Sequence, residues 1–251
     1  MKDVDFLLNY LFAERGQKYV DIAEGDKFRT FRSLVNVRPP QPASDEFYAA
    51  ESRYLSALLS ERGVTEQDDI AFDADGIALW QGDITTLAVD AIVNAANSQM
   101  LGCFAPCHGC IDNAIHTFAG VRLRSECFEI MQKQGFDEPT GTAKITDAYN
   151  LPCKRVIHTV GPIVVGRLTP KHERQLASCY ESCLKLAAEN DLQSVAFCCI
   201  STGVFNFPRE RAAEIAVATV KKFLAESQRK MKVVFNVFKE EDHAVYKRLL
   251  G

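Results

Sequence analysis

GDITTLAVDAIVNAANSQM, residues 82–100, decides how this chain is read. It follows IALWQ at 77–81, a short apolar run of strand length, and it contains a second such run, AIVN at 91–94. Each run ends in residues suited to a turn, Gly82 and Asp83 after the first and Asn94 to Asn97 after the second. Open α/β sheets bind their ligands at the carboxyl ends of strands. An acidic residue there can accept a hydrogen bond from a ribose hydroxyl or an exocyclic amine. Asp83 is therefore a candidate ligand contact, although alone it reads equally well as a turn or cap residue. The amides of Asn94 and Asn97 offer two donors and an acceptor each, which suits a ribose or a loop backbone.

Strands and helices alternate from residue 70 onward. Ile77–Gln81, Ala91–Asn94, Ala143–Ala148, Val156–Val160, Ser194–Ile200 and Lys232–Phe238 read as strands. Ile111–Ala119, Arg122–Lys133, Glu173–Glu189, Pro208–Glu226 and Asp242–Leu249 read as helices, with Pro208 in the first turn of its helix. The pattern predicts a layered α/β sheet with helices on both faces. Residues 1–70 read as helices with loops. DFLLNYLFAE and DEFYAAESRYLSALLSERG carry helical apolar spacing, and the proline-rich NVRPPQPAS links them in extended form. The division is a helical N-terminal extension over 1–70 and one domain over 71–251.

Two further segments carry chemistry. ISTGVFNFP at 200–208 joins a buried strand to a helix, and Ser201, Thr202 and Gly203 can bring small side chains and N–H groups up to a phosphate. Phe205 and Phe207 either offer a face to a base or ribose or pack the core. LGCFAPCHGCIDNAIH at 101–116 holds Cys103, Cys107, His108 and Cys110 within eight residues. Thiolate and imidazole are the ligands Zn²⁺ prefers. Four ligands would close the site, whereas three leave a position for water or substrate, and spacing alone leaves Cys107 open. Asp112 and His116 lie four residues apart, on one face of the helix that follows. His116 reads as a structural histidine.

Taken in order, GDIT-x₃-VDAIVNAAN, the D-x-A-I-H helix start, RVIHTVGP and ISTGVFNFP resemble macrodomains, three-layer α/β/α modules with a mixed central sheet that bind ADP-ribose. The resemblance spans residues 71–250. GCFAPCHGC stands where many macrodomains carry a glycine-rich loop, and in this the chain resembles the zinc-dependent bacterial class, whose members also have a helical N-terminal extension. That likeness implies a protein-ADP-ribosyl hydrolase with Zn²⁺ as cofactor, genetically linked to a sirtuin-type transferase and a lipoyl carrier protein. It implies Asp83 on the adenine amine with Ile84 beside it, Asn97 on the distal ribose, and Asp112 orienting or activating water. It further implies Ser201, Thr202, Gly203, Val204 and Phe205 around the phosphates, and Cys103, His108 and Cys110 on the metal. Asn206 departs from the family's usual glycine, which asparagine's tolerance of positive φ softens. A non-catalytic ADP-ribose reader and an O-acyl-ADP-ribose deacylase are the competing readings.

The bulk properties fit this picture. A net charge of −4 and a pI of about 5.8 give no electrostatic footprint for nucleic acid. No apolar stretch approaches the ~18 residues of a membrane span. MKDVDFLLNYLFAERG lacks the charge order and cleavage site of a signal peptide. Nine cysteines, an odd number, several in apolar contexts such as VAFCCI, predict a reducing, cytoplasmic setting in which the clustered thiols bind metal.

Overall fold

The computed structural model describes residues 2–227 and 230–251. Three helices lead, α1 (Lys2–Ala13), α2 (Glu24–Asn36) and α3 (Asp45–Arg62). A two-residue strand β1 (Thr65–Glu66) follows, then β2 (Ile77–Gln81), a second two-residue strand β3 (Leu87–Ala88), and β4 (Ala91–Ala96). Next come α4 (Ile111–Ala119), α5 (Val121–Gln134), β5 (Ala143–Asp147), β6 (Arg155–Val160), α6 (Pro170–Glu189) and β7 (Ser194–Phe197). The chain closes with α7 (Arg209–Glu226), β8 (Lys232–Val237) and α8 (Glu240–Leu250).

The main sheet runs β2-β8-β7-β4-β6-β5, parallel except for the antiparallel edge strand β5. It is the mixed sheet of a three-layer α/β/α fold. The inner strands read as unbroken apolar runs because both of their faces are covered: all four residues of β7 are buried, as are five of six in β4. Side chains alternate between the layers. His158 of β6 points to the layer of α4 and α5, meeting Cys127 of α5 and Asn94 of the adjacent β4, while its neighbour Thr159 bonds the Thr142 carbonyl. The parallel strands share one direction, so the loops after β2, β4 and β7 gather at one edge, bringing the segments that start at Asp83, Asn97 and Ser201 to the same side.

Some details differ from the sequence reading. Helix α2 stands between the two N-terminal helices the spacing singled out, with Phe31, Leu34 and Val35 buried. Strand β7 stops at Phe197 rather than Ile200; Cys198 and Ile200 are buried yet lie outside the ladder. Pro208 is the residue before α7, with φ −58°, instead of part of its first turn.

The N-terminal helices share the hydrophobic core of the sheet: Leu7, Leu8, Phe31, Phe47 and Leu55 belong to the same buried cluster as Ile92, Val156 and Val233. Polar contacts join them as well. Gly120, before α5, has φ +90° and no side chain to cap that helix. Glu51 of α3 does so instead, accepting the Val121 N–H at 3.1 and 3.3 Å. A Cβ at Gly120 would come within 2.5 Å of the Glu51 carboxylate. Burial pushes the Glu51 carboxyl from 4.5 up to about 7, against the pull of the Val121 N–H, Arg122 and Arg38. A carboxyl raised in the folded state stabilises fully while protonated, below 4.5, and loses that contribution as pH rises toward 7. Glu51→Gln removes the titration. Between pH 5 and pH 8 its unfolding free energy should shift in its favour relative to the parent chain by roughly 2.5 kcal/mol, read by urea unfolding of both proteins at the two pH values.

Candidate active site

Asp112 lies at the start of α4 and is 5% exposed. Two amides from the end of β4 and its following loop hold it. Asn94 donates from Nδ2 to Oδ1 at 2.8 Å, and Asn97 donates to Oδ2 at 3.4 Å. Asn97 also ties the loop, donating to the Gly102 carbonyl at 3.0 Å and accepting from the Gln99 N–H at 3.0 Å. Asn94 sits opposite His158 in the β4–β6 register, and its Nδ2 lies 3.1 Å from His158 Nδ1. An amide nitrogen can only donate, so Nδ1 accepts, and His158 Nε2 carries the proton toward Thr146 Oγ1 at 2.9 Å. Burial alone lowers the His158 value to about 3, so this ring is a neutral support beneath the carboxylate.

Burial raises the Asp112 carboxyl to about 6, while Asn94, the Arg124 charge and Asn97 hold it down. His116 Nε2 stands 3.5 Å from Asp112 Oδ1. Burial, and then the charge of Arg124, push the His116 value well below 6.5, so the contact is a neutral ring beside a carboxylate and not an ion pair. The ring also explains Gly102, where φ is +79° and a Cβ would come within 2.8 Å of the imidazole. His116 thus shapes the loop that leads into the cysteine segment.

In that segment the ligand atoms of Cys103, His108 and Cys110 all lie within 4.8 Å of one another. Cys103 Sγ is 3.7 Å from His108 Nδ1. A sulfur and a nitrogen on one tetrahedral Zn²⁺ would stand roughly 3.6 Å apart, given bonds of about 2.3 and 2.05 Å. Cys107 is turned elsewhere. Its φ is +53°, its Sγ meets the Arg29 carbonyl at 3.4 Å, and its N–H donates to Asn36 Oδ1 at 2.8 Å. Cys110 is also the N-cap of α4, its Sγ accepting from the Asn113 N–H at 3.4 Å. The potential metal trio and Asp112 therefore meet at one helix N-terminus.

Asp83 does what a cap does: its Oδ1 accepts from the Thr85 N–H at 3.0 Å and the Thr85 hydroxyl at 2.7 Å. Its Oδ2 pairs with Arg62 at 3.0 Å, and that guanidinium lies 3.7 Å above the Phe118 ring. Arg62, from α3, gave no signal in the sequence. Ile84 is buried and leads a one-turn 3₁₀ helix, where main-chain N–H groups lack an intrahelical acceptor. In the loop after β7, Ser201 and Asn206 both have positive φ, 64° and 56°, so Asn206 takes up the geometry that glycine more often supplies. Ser201 is buried, and its Oγ is an unpartnered buried atom among the described residues. Thr202 binds the Cys199 carbonyl, while Gly203 and Val204 are exposed. The two phenylalanines divide: Phe207 is core, and Phe205 is half-buried, its carbonyl accepting from the Val164 N–H at 2.9 Å.

Residues 93–216 match the family model of the Macro domain. Over 255 aligned positions, which span 98% of this chain and 97% of the other, the chain is 55% identical to a protein-ADP-ribose hydrolase of Treponema medium. The chain belongs to the macrodomain family. This macrodomain is also 50% identical to a protein-ADP-ribose hydrolase of Staphylococcus aureus strain MSSA476, over 97% of this chain and 93% of that one. Its fold superposes with TM-score 0.68 on a Trypanosoma brucei macrodomain in complex with ADP-ribose, 31% identical, covering 92% of this chain and 97% of the other. Near full-length identity to hydrolases makes the macrodomain an enzyme of that kind. Among its described residues no helix is long and apolar enough to cross a membrane.

Proposed function

We propose that this macrodomain hydrolyses the bond between ADP-ribose and a modified protein side chain, with Zn²⁺ held by Cys103, His108 and Cys110. One observation carries the reading: the soft-ligand trio ends in the residue that caps α4, and the buried carboxylate of Asp112 follows two residues later, between Asn94 and Asn97. The relatives named as protein-ADP-ribose hydrolases support the substrate class, as does the T. brucei macrodomain that binds ADP-ribose.

In this reading Asp83 receives the adenine amine beside Ile84, and Ser201, Thr202, Gly203, Val204 and Phe205 wrap the diphosphate. The positive φ of Ser201 and Asn206 gives that loop the curvature in which successive N–H groups can face an anion. Asn97 meets the distal ribose. Asp112, held near 6 and mostly ionised at neutral pH, accepts a proton from the water that attacks C1″ as the bond to the protein side chain breaks. Asn94 fixes the carboxylate from below and His158 fixes Asn94. Zn²⁺ bound to the trio would supply Lewis-acid stabilisation of the negative charge that develops there. For the substrate protein, likeness to the zinc-dependent class points to a lipoyl carrier protein modified by a sirtuin-type transferase.

The test is multiple-turnover release of ADP-ribose from mono-ADP-ribosylated protein, with the metal stripped by a chelator and then restored. Turnover should vanish on stripping and return with Zn²⁺. A reader would bind the modified protein and release nothing in either state. O-acyl-ADP-ribose offered in parallel separates a deacylase, which would turn over that ester in preference. A modified lipoyl carrier protein compared with an unrelated modified protein reads substrate choice.

A further inference from the structure

The loop bearing Cys103, His108 and Cys110 has no regular structure of its own, yet three ligand atoms in it are gathered. The structure shows what gathers them. Arg32 of α2 donates from Nε and Nη2 to Asn113 Oδ1 at 3.0 and 2.8 Å, and its Nη2 also donates to the His108 carbonyl at 3.0 Å. Asn113 then donates from Nδ2 to the Ala105 carbonyl at 3.0 Å and reaches the Cys103 carbonyl at 3.5 Å. One guanidinium and one amide thus bind the loop at residues 103, 105 and 108. Asn36, one turn further along α2, takes the Cys107 N–H and donates to Thr117 of α4 at 3.0 Å. This second tether keeps the Cys107 thiol pointing away from the trio.

We infer that Arg32, with Asn36 behind it, is a positioning residue of the metal site, so that the N-terminal helices build part of that site. The inference rests on the zinc reading above and adds to it which residues make the trio ready for metal. A flexible loop must be ordered when it binds an ion, and a brace already in place lowers that cost. Groups that orient metal ligands from behind typically govern affinity by 10- to 100-fold. Arginine suits the task because its planar fork reaches two acceptors in fixed geometry, which the point charge of lysine cannot reproduce.

The experiment uses the full chain and measures Zn²⁺ affinity by chelator competition, the visible spectrum after Co²⁺ substitution, and the melting temperature of the metal-free protein. Arg32→Ala should weaken Zn²⁺ binding by about tenfold or more and alter the Co²⁺ spectrum, with the metal-free melting temperature little changed. Arg53→Ala, which breaks an exposed ion pair to Asp3 elsewhere in the extension, should leave both metal readouts as they are. If Arg32→Ala fails to fold, Arg32→Lys decides by the same readouts, with a smaller loss in the same direction. Parental protein that holds Zn²⁺ and variants that hold it within twofold as tightly would overturn this inference and leave the zinc reading standing. Parental protein that binds no Zn²⁺ would sink the zinc reading and this inference with it.

Discussion

Asp112→Asn lowers kcat for ADP-ribose release by about 10²- to 10⁴-fold, the usual worth of a positioned general base, while KM moves little. The substitution is chosen for what it preserves. The amide oxygen of asparagine can still accept from Asn94 Nδ2, so the start of α4 keeps its tether to β4. It is also neutral, and the site has already raised the cost of charge there, pushing the carboxyl up to about 6 by burial. The fold should therefore tolerate it, and the melting temperature of the variant serves as the check. What is lost is the ability to take a proton at that position, and the partner of Asn97 becomes an amide. A purified, folded Asp112→Asn enzyme with parental turnover would remove Asp112 from the reaction. The same loss in kcat accompanied by a collapse in melting temperature would instead assign it a structural role.

The sheet and most of its helices were legible in the sequence because their signals are local. Ile111–Ala119 and Ile77–Gln81 stand as the pattern predicts, marked by apolar periodicity and by the caps or turns that bound them. Where the reading overran, at Cys198 to Ile200, burial and strand pairing had parted company. Cys198 and Ile200 sit in the core, but the chain is already leaving the ladder to reach the positive φ of Ser201. Helix α2 carries Phe28, Phe31 and Val35 at helical spacing, a signal present in the sequence but overshadowed by the neighbouring prolines.

The site divides in the same way. Cys103, His108 and Cys110 are close in sequence, so spacing alone makes them a candidate ligand set. The contacts that fix their geometry are remote: Arg32 lies 81 positions from Asn113, and Arg62 lies 21 from Asp83. No local pattern marks an arginine as the partner of a distant amide or carboxylate. The fate of Cys107 depended on a single backbone angle, +53°, and on the Arg29 carbonyl and Asn36 amide that reward it. Its exclusion from the trio is thus a property of the folded N-terminal helices, which spacing within the loop does not encode.

That division makes a comparison of Cys110→Ser with Cys107→Ser the sharper test of the metal. In the proposed zinc site Cys110 has two tasks, as a ligand and as the N-cap of α4. Alanine would remove both and confuse a lost metal with a frayed helix. Serine is a preferred N-cap, so Cys110→Ser retains the hydrogen bond to the Asn113 N–H while withdrawing the thiolate. Zinc content should fall from about one ion per chain to a small fraction, with only three of the four tetrahedral positions supplied by protein to begin with. Turnover should fall by roughly 10³-fold, since Lewis-acid stabilisation is worth several kcal/mol and about 1.4 kcal/mol is a factor of ten in rate. Cys107→Ser should leave zinc content and turnover at the parental level, because its sulfur faces the Arg29 carbonyl and its fixed contact is made by the main-chain N–H. Elemental analysis and turnover on the same samples read both variants. If Cys107→Ser were to lose the metal as Cys110→Ser does, the site would be a closed, four-ligand one, and Zn²⁺ would hold the loop in shape rather than act on the sugar.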